Sequence, residues 1–282
     1  MTASLVSMLP LYGRSLLKTG RAVSHWPTLS LRRTGMTIDQ AHLKRYLEVC
    51  GYPPVLDQLP PCYLQVCAFD AHMALLTEPA FPLRLLGLVH LGNTIRQHAE
   101  LTPLDVFDLD ISLGSLETNH LGHVFSVLTV ARRAGRVVWE SDMAILSRAR
   151  TGVPKPEKEP EPPFVPAETQ DLGTVPEDMG RRYARVSGDY NPIHLTRATA
   201  RLFGFPRQIV HGMWTKARAL AALPESWRNG PFEVQVRFRK PVLLPAHLTL
   251  QSANRQGAGA FRVTDDTGQI VHLTGEIRRP GA

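Results

Sequence analysis

Apolar residues recur along the chain with two different periods. From Thr37 to Cys50 (TIDQAHLKRYLEVC) they follow the helical period, so Leu43, Tyr46 and Leu47 share one face of a predicted helix. Asp39 is placed to cap its start, and Gly51, Pro53 and Pro54 end it. A second helical run begins at Gly212, with Met213, Ala217, Leu220 and Ala221 recurring behind it. FDLDISL from Phe107 and FEVQVRF from Phe232 instead alternate apolar and polar residues, as half-buried strands do. RRAGRVVWESDMAIL from Arg132 and DDTGQIVHLTGEI from Asp265 each read as two strands around a glycine turn. Near the start, LPLYGRSLLKTG reads as an entry strand and turn.

These segments echo one another. FPLRLLGLVHLGN, from Phe81, shares with FPRQIVHGMW, from Phe205, its opening FP and a VH followed by glycine. The two alternating strands and the two glycine hairpins follow in the same order at a roughly constant offset, which predicts two copies of one domain. Each copy combines a helix with antiparallel strands, hence an α+β class. The copies span 1–150 and 167–282. Between them TGVPKPEKEPEPPFVP, residues 151–166, is too rich in proline for helix or central strand and reads as an extended linker.

The chemistry concentrates in YARVSGDYNPIHL, Tyr183 to Leu195. Asn191 suits a helix N-cap and Pro192 the first helical position. Asp189 then lies in the approach loop and His194 in the first turn, two titratable groups held together where acid/base chemistry can occur. The same string also describes an ordinary turn into a capped helix, with Asp189 and Asn191 merely bonding the backbone. Gly212 changes the balance. A glycine opening a helix lets a ligand approach backbone N–H groups that already favour negative charge, so it is a candidate oxyanion donor.

SGDYNPIH followed by IVHGM resembles the signature of the MaoC-like, R-specific enoyl-CoA hydratases. Ser187, Gly188, Asp189, Asn191, Pro192, His194 and Gly212 all match it, and the direct resemblance spans Tyr183 to Leu223. It implies the hot-dog fold, a curved antiparallel sheet wrapped around a central helix. Two copies in one chain then imply a double hot dog, degenerate in its N-terminal half and catalytic in its C-terminal half. In the first half the stretch answering the signature is read as CAFDAHMALLTEPAF, where Asp70 and His72 lack the Asn-Pro cap and the spacing and are read as incidental. The activity implied is reversible hydration of trans-2-enoyl-CoA to (3R)-3-hydroxyacyl-CoA. Asp189 and His194 would act jointly on water and proton, with the Gly212 N–H on the thioester oxygen. Ser187, Asn191, His211 and Met213 are the expected substrate-binding residues. Beyond the coenzyme A or acyl-carrier-protein thioester itself, no cofactor is expected. Two alternatives stay open: a 3-hydroxyacyl-acyl-carrier-protein dehydratase of fatty-acid or polyketide synthesis, and a non-catalytic acyl-CoA-binding subunit. A homodimer of double hot dogs also stays open.

Composition narrows the field. With 282 residues, 43% hydrophobic and 20% charged, the chain has the balance of a globular protein with a real core. No apolar segment approaches the roughly 20 residues of a membrane span, so no membrane partner is expected. The net charge of +7 favours anionic partners. No helix-turn-helix, zinc or aromatic RNA-binding signature directs that charge to nucleic acid, and a phosphate-bearing small molecule accounts for it equally well. No glycine-rich nucleotide loop follows a strand, so NAD(P) is not implied. His90, His211 and the other histidines show no metal-ligand spacing. Cys50, Cys62 and Cys67 form no CxxC pair and fit reduced thiols in a cytoplasmic protein. The first 38 residues, basic and free of acid, keep a mitochondrial location as the alternative.

Overall fold

The computed structural model describes residues 13, 23, 25–55, 57–157, 163–228, 230–255 and 258–279. The entry strand and turn expected near the start fall outside the described residues, Gly13 apart. Strand β1 (Ser30–Thr37) leads into helix α1 (Gln40–Cys50). Two short helices, α2 (Tyr63–Cys67) and α3 (Phe69–Leu76), precede strands β2 (Leu88–Gln97), β3 (Val106–Asn119), β4 (Gly122–Arg133) and β5 (Arg136–Arg148). The second half starts with β6 (Glu168–Val175), α4 (Met179–Ser187), a 3-10 turn (Pro192–His194), α5 (Arg197–Arg201) and α6 (Gly212–Ala222). It closes with β7 (Phe232–Phe238), β8 (Ala246–Arg255), β9 (Ala258–Asp265) and β10 (Val271–Arg278). Residues 151–157 and 163–166, within the proline-rich segment, carry neither helix nor strand.

The strands join one antiparallel sheet in the order β1-β3-β4-β5-β2-β7-β10-β9-β8-β6. That order reads alike from either edge, matching β1 with β6, β3 with β8, β4 with β9, β5 with β10, and β2 with β7 at the centre. The central pair runs from Gly92 opposite Arg237 to Gln97 opposite Phe232. Its inward residues Ile95, Val234 and Val236 are buried, as alternation requires of a sheet with one covered face. Helix α6 lies against the sheet with Trp214, Thr215, Lys216, Ala217, Ala219 and Leu220 all buried, so it is a core helix rather than an amphipathic surface one.

Local signals place α1 as the sequence does. Asp39 accepts the His42 N–H at 3.0 Å, Leu43, Tyr46 and Leu47 are buried, and Gly51 caps the end at φ 74°. The repeat was only partly in register. The two glycine hairpins do occupy matching places, β4–β5 and β9–β10. However, Phe107 lies at the start of β3, behind Val106 and next to an edge strand, whereas Phe232 opens the central β7. Likewise Val89 and His90 lie within β2, while Val210 and His211 lead into α6. Alternation marks any half-buried strand and does not say which strand it is.

Candidate active site

Helix α4 ends at Ser187, and Gly188, with φ 76°, turns the chain out of the helix so that Asp189 begins a loop. Ser187 Oγ accepts the Asp189 N–H at 3.2 Å, and Asp189 Oδ1 accepts the Asn191 N–H at 3.1 Å. Asn191 Oδ1 then accepts the Ile193 N–H at 3.4 Å, with Pro192 in the first position after it. The helix expected here is a single 3-10 turn. Thr196 interrupts it at φ −144° and recaps the chain into α5 through a capping box with Thr199. The turn is clamped onto α4. Arg181 Nη1 donates to the Leu195 carbonyl at 2.7 Å, and a Cβ at Gly180 would overlap the His194 carbonyl oxygen.

His194 is buried, and its Nδ1 donates to the Ile209 carbonyl at 2.8 Å. A carbonyl can only accept, so the neutral ring carries its proton on Nδ1 and keeps a lone pair on Nε2. His211, the residue before α6, donates from Nε2 to the Asp189 carbonyl at 2.9 Å, and that nitrogen lies 3.7 Å from Asp189 Oδ2. The two imidazoles stack with centroids 3.6 Å apart and planes 23° from parallel. Burial pushes His211 down to about 3, the neighbouring His194 adds to this, and Asp189 opposes it. Burial also lowers His194, against the pull of the Asp189 carboxylate and the bond to Ile209. Both rings are therefore neutral at neutral pH, and Asp189 is the group that stabilises a proton arriving on His194.

Asp189, His194 and His211 each place a ligand-type atom within 4.8 Å of the others. Stacked rings aim their in-plane lone pairs side by side instead of at one point, and one nitrogen of each ring is already bonded to a carbonyl. The arrangement suits proton transfer better than metal ligation. Gly212 opens α6 beside this cluster, where the first N–H groups of a helix have no acceptor within it. A Cβ at Gly212 would come within 2.9 Å of the Phe238 ring, so the sheet also requires a glycine there. Met213 is half-buried and packs against the core. Behind the loop, a cavity of about 420 Å³ runs from Arg33, His42 and Asp70 to Ser187 and Gly188.

Asp70 and His72 do not form a second pair. Asp70 binds Arg33 at 2.7 Å, whereas His72 is buried between Thr129 and Gln65. The stretch assigned as the answer to the signature is itself corrected. The sheet order matches α1 with α4, and the left-handed caps Gly51 and Gly188 coincide. Tyr52 thus stands where Asp189 does, while Asp70 and His72 belong to α3. Gly180 and Lys216 escaped the sequence reading, and His90 was considered there only as a metal ligand. Only Lys216 left a signal, a lysine among the small and apolar residues of α6.

Residues 157–274 match the family described as MaoC like domain. The chain is 32% identical over 246 residues to 3-hydroxyacyl-thioester dehydratase X of Mycobacterium tuberculosis, covering 86% of each chain. A crystal structure of HtdX from Mycobacterium tuberculosis superposes with a TM-score of 0.77 at 29% identity, covering 89% of this chain and 100% of that one. A MaoC-like dehydratase from Phytophthora capsici gives 0.74 at 18% identity, covering 90% and 95%, a likeness of fold alone. With a relative this similar along most of its length and the hot-dog fold shared with these structures, the chain belongs to the MaoC-like dehydratase family of hydro-lyases.

Proposed function

We propose that the chain interconverts trans-2-enoyl thioesters and (3R)-3-hydroxyacyl thioesters, with Asp189 and His194 as the acid/base pair. The observation that carries this is their juxtaposition: a carboxylate and an imidazole nitrogen within 4.8 Å, beside the N-terminal end of α6. Two hydrogen bonds of about 2.8 Å meeting at a tetrahedral oxygen span about 4.6 Å, so one water fits between the two groups. In the hydration direction the pair takes a proton from that water, whose oxygen bonds to the β-carbon. The alkene electrons move onto the thioester oxygen as an enolate, which the Gly212 N–H and the helix end stabilise. The pair then returns a proton to the α-carbon, so water is added with no net change in the protein. The carrier is coenzyme A or an acyl carrier protein, and the net charge of +7 suits either anion.

The name of the Mycobacterium tuberculosis relative favours the reverse direction, loss of water from a 3-hydroxyacyl thioester, by the same steps read backwards. We further propose that the chain is two tandem hot-dog domains, 1–150 and 167–282, with one active site in the second. The mirrored strand order supports this, as does Tyr52 in place of Asp189. The test is incubation of the purified chain with crotonyl-CoA, following loss of the conjugated-thioester absorbance and the configuration of the product. A (3R)-3-hydroxybutyryl product is expected. A chain that binds acyl-CoA tightly without hydrating it would instead be a binding subunit.

A further inference from the structure

Lys216 is fully buried in α6, one helical turn beyond Gly212 and on the same face. Its ammonium donates to Asn93 Oδ1 at 2.6 Å and to the Asn93 carbonyl at 3.3 Å. Asn93 belongs to β2, in the other half of the chain, and is itself fixed by donating to Ser141 Oγ at 2.8 Å and to the Asp142 carbonyl at 3.1 Å. The sheet is shaped for this contact. A bulge between His90 and Gly92 puts His90 and Asn93 on one face of β2, and a Cβ at Gly92 would lie 2.6 Å from the Val236 carbonyl oxygen. His90 packs edge-on against Phe238 at 4.9 Å, the same ring that confines Gly212. Among the described residues no carboxylate lies within ion-pair distance of Lys216. A buried ammonium held only by an amide and a carbonyl is costly, and packing alone does not call for one.

We propose that Lys216, held across the centre of the sheet by Asn93, is a positioning residue for the reaction: its charge reinforces the helix end at Gly212 toward the enolate oxygen. The proposal rests on the reading of Gly212 as the oxyanion donor. The titratable groups facing Lys216 are Cys62, from the segment ahead of α2, and His90. Burial holds Cys62 up at about 11 against the pull of Lys216, and burial followed by the Lys216 charge holds His90 down at about 4. Neither changes charge near neutral pH. Burial pushes Lys216 itself down to about 8 from its usual 10.5. Its charge is therefore present below about pH 8 and lost above it. In the unfolded chain the proton stays on up to 10.5, so stability gains from this group as pH rises between the two values. Turnover should fall over the same window in which that contribution to stability rises.

The experiment is kcat and KM for crotonyl-CoA from about pH 6.5 to about pH 10, on the wild-type chain, Lys216→Met and Lys216→Gln, with Asp189→Asn and His194→Gln alongside. Glutamine keeps a donor for Asn93 but removes the charge. Expected are a wild-type fall in kcat centred near pH 8, and at pH 7 a loss of roughly tenfold or more in both Lys216 variants with KM within about twofold. The fall near pH 8 should be missing from both variants. A wild-type kcat flat from about pH 7 to about pH 9.5 overturns the proposal even if neither Lys216 variant folds. Normal turnover in Lys216→Gln beside inactive Asp189 and His194 variants overturns this proposal alone. Turnover surviving in the Asp189 and His194 variants overturns the site on which it rests.

Discussion

At the scale of single residues, hydrogen bonds to two backbone carbonyls decide what the histidines can do. Ile209 holds the proton of His194 on Nδ1, leaving a lone pair on Nε2; the Asp189 carbonyl holds the proton of His211 on Nε2. His211, read from sequence as a substrate-binding residue, is bonded to the Asp189 carbonyl and stacked on His194, so it is also placed to hold the Asp189 loop. These two roles separate in kinetics. His211→Phe keeps the stacked ring and removes the bond to the Asp189 carbonyl. If His211 holds the loop, kcat should drop about tenfold, the worth of one hydrogen bond of about 1.4 kcal/mol, with KM little changed. A rise in KM at unchanged kcat would instead support substrate binding by His211.

At the scale of elements, the site was legible wherever a local cap sets the geometry. Asn191 and Pro192 announce the turn and Gly212 the start of α6, while Gly188 was read only as part of the signature and not as the exit from α4. What stayed hidden depends on contacts distant in sequence: Gly180 under His194, Phe238 against Gly212, Asn93 on Lys216. The Phe238 contact alters the meaning of Gly212. A side chain there would strike the ring before any substrate arrives, so a simple substitution confuses packing with catalysis. The pair Gly212→Ala and Gly212→Ala with Phe238→Leu resolves it. The single change should lower both Tm and kcat. The smaller leucine should restore most of the Tm, while kcat recovers only in part if the added methyl also displaces the thioester oxygen. Full recovery of kcat with Tm would make Gly212 a packing residue only.

At the scale of the whole molecule, the alternation of apolar residues revealed that the chain is built of antiparallel strands but not their order. Strand order is set by pairings between segments far apart in sequence, and one alternating strand looks like another. That is why the hairpins from Arg132 and Asp265, each carrying its own turn, were aligned correctly while Phe107 and Phe232 were not. The continuous sheet has a structural consequence. Because β2 pairs directly with β7, residues of the first half stand against α6 of the second, and a bulge in β2 brings Asn93 to Lys216. If Lys216 acts as proposed, a half without its own Asp–Asn-Pro–His loop still shapes the site.

The central claim is that Asp189 and His194 together move the protons of water addition. The most direct test is the single-turnover hydration of crotonyl-CoA by Asp189→Asn and by His194→Gln, each confirmed as folded by its circular dichroism and melting curve. Asp189 sits in a capped, half-exposed loop, whereas His194 is buried and stacked on His211, and glutamine keeps a polar side chain of similar reach there, so both variants should still fold. Each variant should be slower than wild type by at least about a hundredfold, the usual contribution of a positioned acid or base. Near-normal hydration by either folded variant would contradict the account.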